Sequence, residues 1–180
     1  MAWYTICTII AAAIFLLYNT ISVRLFGVPS SLSETFYLYK DKKDWMRILF
    51  PWMMVSMAAL LMPSWLTISE GSPWQFTSFL AAASIIFVGS APAFRDDDLT
   101  STVHSVSAIV AAVMSIAWIC LVSQMWYTVI AWLVIAAALG YSSRTLKRSK
   151  TFWLELAAFM ATFSSILTYE IFDEDGKLVR

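Results

Sequence analysis

Few side chains in this sequence can do chemistry, and most of them fall in two places. Arg95-Asp96-Asp97-Asp98 precedes His104, which opens one apolar stretch, and Glu155 stands alone in another. Three consecutive carboxylates repel one another unless they are solvated, paired or bound to a cation. In a solvated loop they serve as caps, with Asp98, Thr100 or Ser101 at the positive end of the next helix. As a site they suit a divalent cation such as Mg²⁺ or Ca²⁺, and the one imidazole extends the choice to a transition metal. Asp98, His104 and Glu155 are then the candidate metal ligands. Glu155 falls about one turn into its apolar run, at a depth close to that of His104. A carboxylate inside a membrane is costly and calls for a partner; His104, Arg144 and Arg148 are the candidates. Asp96, Asp97, Asp98, His104 and Glu155 thus make up the candidate functional cluster.

A second group lies between Gly27 and Lys43. Gly27-Val28-Pro29 stops a helix, and Ser31-Leu32-Ser33-Glu34 fits a capping box, whose side chains satisfy free amides at a helix start. Phe36, Tyr37 and Tyr39, then Lys40, Lys42 and Lys43, fit a short interfacial helix with sunken rings and lysines facing anionic headgroups. Tyr37, Tyr39, Lys40, Lys42 and Lys43 are therefore candidate lipid contacts, the plainer alternative being a cuff that steers the chain between two spans.

What is missing narrows the chemistry. There is no Walker loop, His-rich zinc pattern, Cys-x-x-Cys or Gly-x-Ser-x-Gly. Cys7 and Cys120 lie in apolar runs and read as small hydrophobes. Basic and acidic residues balance at 12 each, which gives no footing for a nucleic-acid partner.

The elements that must position these residues follow from composition. The chain has 180 residues, 60% of them hydrophobic and 13% charged, with a mean hydropathy of +0.73. A small water-soluble core cannot hide that apolar excess, so the expected class is an all-α integral membrane protein, one transmembrane domain over residues 1–180. A hydrocarbon core of about 30 Å needs about 20 apolar residues per helix. Spans are expected at residues 3–23, 45–66, 74–94, 103–122, 125–141 and 151–172. From Val103 to Tyr141 no charged residue appears except His104. One helix over that stretch would be about 58 Å long, so two helices are expected, turning at the polar pair Ser123-Gln124. Asp173-Glu174-Asp175-Gly176 closes the last span. The first run lacks the basic start of a signal peptide and is too long for one. Trp3, Tyr4, Trp45, Trp65, Trp74, Trp126 and Trp153 near the ends of apolar runs suit interfacial belts. Polar residues along the spans, among them Asn19, Ser115, Thr162, Ser164 and Ser165, are expected to bond between helices.

All basic residues except Lys177 and Arg180 fall in or beside the first, third and fifth loops. Lys/Arg-rich loops are cytoplasmic, so a bundle of six spans with both termini outside is expected, in a plasma or inner membrane.

Pro29-Ser30-Ser31-Leu32-Ser33 after the first span, and His104 with Ala108 opening a later one, resemble the Frag1/DRAM branch of the superfamily that includes alkaline ceramidases. That resemblance implies a small polytopic membrane protein without established catalytic residues. Alkaline ceramidases hold zinc with several histidines, whereas this chain has one and lacks a His-x-x-x-His pair in its last helices. The expected function is non-enzymatic: binding of lipid or a small amphiphile, or scaffolding, with membrane lipids and a protein partner or second copy as associates. The alternatives are a small cation transporter or channel with an inner acidic vestibule, and an intramembrane lipid-headgroup hydrolase using a carboxylate–histidine site. The orientation is tested by single-cysteine labelling after replacement of Cys7 and Cys120. A cysteine at Ser72 is expected to react with an impermeant reagent in intact cells, and one at Lys42 only after permeabilisation; the reverse pattern inverts the topology.

Overall fold

The computed structural model describes residues 2–174, with side chains through Tyr169. All regular structure among them is helical: α1 (Trp3–Phe26), α2 (Thr35–Lys42), α3 (Leu49–Ile68), α4 (Phe76–Ser90), α5 (Asp98–Trp118), α6 (Trp126–Ser142) and α7 (Lys150–Glu174). A 3₁₀ turn at Asp44–Ile48 leads into α3, and a π-turn at Ile119–Ser123 extends α5. Four segments are long and apolar enough to cross a membrane: Trp3–Phe26, Asp44–Ile68, Asp98–Ser123 and Lys150–Tyr169. Helices α4 and α6 are apolar but shorter.

Local chemistry sets the boundaries. Helix α1 contains no proline and stops at Gly27, whose φ of 76° suits a residue without a side chain; its N–H bonds the Val23 carbonyl at 2.9 Å. Pro51 sits in the first turn of α3, where a missing N–H leaves no intrahelical bond unmade. Helix α4 stops at Ser90, short of Phe94, because Ala91 precedes Pro92 and the helical conformation is disfavoured there. Gln124 adopts the left-handed conformation (φ 57°) and ends the π-turn, separating α5 from α6. Of the acidic stretch after the last span, Asp175 and Gly176 lie outside the described residues, as do Lys177 and Arg180.

Five helices close into a ring in the order α1, α3, α4, α5, α7 and back to α1, with the α5–α7 joint the lightest. Helix α6 stays outside, packed along α7. The two helices of the long uncharged run therefore diverge from their turn, because α6 finds its hydrogen-bond partners on α7. Trp132 Nε1 donates to Ser164 Oγ at 2.8 Å and Thr128 Oγ1 to the Ala161 carbonyl at 3.4 Å, while Ser123 Oγ in the turn meets Ser165 Oγ at 2.6 Å. On the other side of the ring, Thr8 Oγ1 meets Ser64 Oγ at 2.7 Å, and Ser64 also donates to the Tyr4 carbonyl. Asn19 and Thr162, expected to reach across, instead bond carbonyls of their own helices, Phe15 and Ala158.

The outer surface is apolar along its length: Leu17, Ile109, Val134 and Leu154 are all largely exposed. Tryptophans divide by environment. Trp3, Trp45, Trp74 and Trp126 face outward, as a belt requires, but Trp65 and Trp153 are buried. Trp65 packs on Trp118, and Trp153 lies over Gly140 with its indole N–H on Thr145 Oγ1. Helices α3 and α4 approach so closely that a Cβ on Gly89 would lie 2.9 Å from Met54 Cβ. Gly89→Val is accordingly expected to destabilise the bundle by about 1–3 kcal/mol, the usual range for overpacking. Thermal unfolding in detergent measures this, and an unchanged midpoint would mean that the two helices separate freely.

Candidate functional site

The polar residues gather at the end of the ring that carries residues 27–48. There the chain leaving α1 turns back among the helices before forming α2. Its backbone is held by the first turns of α7: Phe152 N–H donates to the Ser30 carbonyl at 3.0 Å and Ser149 Oγ to the Val28 carbonyl at 3.4 Å. Leu32 N–H donates to Glu155 Oε2 at 2.7 Å. Backbone that leaves regular structure inside a helical bundle needs such partners, because a buried unpaired backbone group is costly. The Glu155 carboxyl thus bonds a backbone amide, and not His104, Arg144 or Arg148.

The turn before α2 is close to a capping box. Glu34 N–H donates to Ser31 Oγ at 3.1 Å, while the Glu34 carboxylate takes the amide of Ser30, one residue earlier than the motif prescribes. Its other oxygen pairs with Arg95 Nη2 at 3.2 Å. Arg95 also lies over the Tyr37 ring at 4.7 Å and donates its backbone N–H to the Tyr37 hydroxyl at 2.7 Å. The first loop is thereby tied to both the α4–α5 loop and the start of α7. Its rings turn mostly inward. Tyr39, expected at the lipid interface, is 1% exposed, because its hydroxyl meets Ser22 Oγ and its ring packs on Tyr18 and Phe26. Tyr37 is half-buried against Phe94. Lys42 and Lys43 are exposed and Lys40 is half-exposed.

The other candidates separate. Asp97, not Asp98, caps α5: its carboxylate accepts the Thr100 N–H at 2.7 Å and the Thr100 hydroxyl at 2.6 Å, which holds it below the usual aspartate range. Asp96 and Asp98 are exposed. His104 is buried, with Nδ1 2.9 Å from the Ala91 carbonyl and its ring stacked on Phe94, and so staples the turn between α4 and α5. Among the described residues no three His, Cys, Asp or Glu side chains stand together as metal ligands.

Within the ring, between α3, α4, α5 and α7, is a chamber of about 70 Å³. Its wall is mostly apolar, built from α3, α4, α5 and α7 and bounded at the loop end by Leu32 and Ser33. Glu155 lines it and is half-buried; Ser115 and Thr162 supply the other polar groups on the helices. Alanines at 108, 111 and 112 on α5 and at 158 on α7 leave the space. Trp65, whose indole N–H has no hydrogen-bond partner, forms part of the wall. His104 does not reach the chamber. A greasy pocket with one carboxyl can orient an amphiphile by its head while the tail contacts apolar wall. No protein-family model, curated protein or solved structure matches the chain.

Sequence reasoning singles out Glu155 from its apolar surroundings but has no signal for the chamber, which depends on how five helices close. Glu34 yields a pH dependence. Burial of its carboxyl opposes ionisation, but hydrogen bonds from Ser30 and Arg95 and the Arg95 charge outweigh that and hold it below its ordinary value. A depressed carboxyl stabilises the fold above its unfolded-state value, and that contribution disappears as pH falls through the folded-state value. Glu34→Gln is expected to be less stable than the parent by about 1 kcal/mol at neutral pH, since its ion-pair partner is half exposed. Unfolding midpoints should converge in acid, below the range in which Glu34 titrates. Equal midpoints at neutral pH would show that the carboxylate does not hold the loop.

Proposed function

We propose that this chain is a six-span integral membrane protein, basic loops inside and both ends outside, that holds a lipid or small amphiphile in its central chamber without transforming it. The chamber carries the reading. It is apolar along the ring and polar at Glu155, the division an amphiphile needs. For the topology, the support is that the first, third and fifth loops meet at one end, through Glu34–Arg95 and through Ser30 with Phe152. The short α4 and α6 are then spans completed by the turns that flank them.

The alternatives draw less support. A cation vestibule needs carboxylates facing a common space, yet Asp97 is engaged as a cap and Glu155 alone faces the chamber. A carboxylate–histidine hydrolase needs His104 beside Glu155, whereas His104 is bonded to the Ala91 carbonyl outside the chamber. The Frag1/DRAM resemblance fits a non-enzymatic role, since Ser30, Ser31, Leu32 and His104 serve here to brace the fold.

Ala112→Trp and Thr162→Trp place a large ring in the chamber. Native mass spectrometry of protein extracted from membranes is expected to find a small amphiphile retained by the parent and lost from both variants, with both still folded by thermal unfolding. Equal retention by parent and variants would refute the reading.

A further inference from the structure

We infer that the occupant of the chamber is a lipophilic cation, an ammonium-headed amphiphile for which Glu155 is the counter-charge. This rests on the chamber being a ligand site. Among the described residues Glu155 is the one ionisable side chain on the wall. One of its oxygens takes the Leu32 amide at 2.7 Å, and among the described residues no Lys, Arg or His pairs with it. A carboxylate in a membrane span normally has its cation supplied by a neighbouring helix; here the protein leaves that place to the ligand. Charge attraction is many times stronger in such low-dielectric surroundings than in water, so an ammonium head gains most, a hydroxyl less, and an anionic head is repelled. Phe50, Trp65 and Phe159 on the same wall add aromatic rings, which attract ammonium groups beyond their apolar contact.

Size points to a modest tail. From Glu155 to Thr162 the wall follows two turns of α7, about 10 Å of helix, which suits an octyl chain. The basic side chains of the first and fifth loops are absent from the wall, so they do not cancel the charge of Glu155 within it.

The experiment is calorimetric titration of the full chain in neutral-lipid nanodiscs with octylammonium, octanol and octanoate, for the parent, Glu155→Gln, Glu155→Asp and Ala112→Trp. The parent is expected to bind octylammonium about tenfold or more tightly than octanol, the lower end of what a close charge pair contributes, with octanoate weakest. Glu155→Gln should lose that preference while still binding octanol, and Glu155→Asp, which keeps the charge, should retain it. Octanoate binding as tightly as octylammonium, or a preference surviving in Glu155→Gln, overturns the inference and leaves the chamber standing. Should Glu155→Gln fail to fold, the order of the three ligands on the parent and on Glu155→Asp decides. Octanol binding unchanged in Ala112→Trp overturns the chamber itself.

Discussion

The bundle depends on one constraint: the chain between Val28 and Leu32 leaves regular structure inside the helices, where only protein can satisfy its backbone. Helix α7 meets that need with three groups from two successive turns, the Ser149 hydroxyl, the free Phe152 amide and the Glu155 carboxyl. The Phe152 amide is one of those that a helix start leaves unbonded, so a single contact satisfies a donor on α7 and an acceptor on the loop. From that anchor the rest of the end follows. Glu34 is presented to Arg95, Tyr37 to Phe94, and Tyr39 on α2 is pressed against α1.

The apolar helices were legible in the sequence because the length and hydropathy of each run are read within that run. Uninterrupted runs, Gly27, the Ala91-Pro92 stop and the polar Ser123-Gln124 pair are local features with local consequences. Partnership is not local. Serines and threonines on a span can bond their own helix or its neighbour, and the same residue type does both here: Ser90 turns back on the Ile86 carbonyl, while Ser64 reaches α1. Charge balance is likewise blind to direction. The Asp96–Asp98 run and His104 look like the beginning of a metal site, yet Asp97 and His104 are each engaged with backbone within the same helical hairpin. Glu155 stands out in the sequence as a carboxylate in an apolar run, but its partner is a main-chain amide, which carries no residue type to search for.

The chamber shows how a cavity persists in a tightly packed ring. Gly89 lets α3 and α4 close up on one side, and that approach is not matched on the side where α5 meets α7 across alanines. Aromatic bulk on the wall is concentrated in Phe50, Trp65 and Phe159. A flexible wall would collapse into such a space; aromatic rings with few rotamers do so less readily.

Helix α6 stands outside the ring, and α7, the last described helix in the chain, closes it. Without α7, helices α1, α3, α4 and α5 form an open arc, with the Val28–Leu32 backbone lacking its anchor and the chamber lacking one wall. Helix α6 does not close that arc, because its interhelical hydrogen bonds go to α7. Closure of the ring therefore waits on α7, the helix that both completes the chamber wall and anchors the Val28–Leu32 backbone.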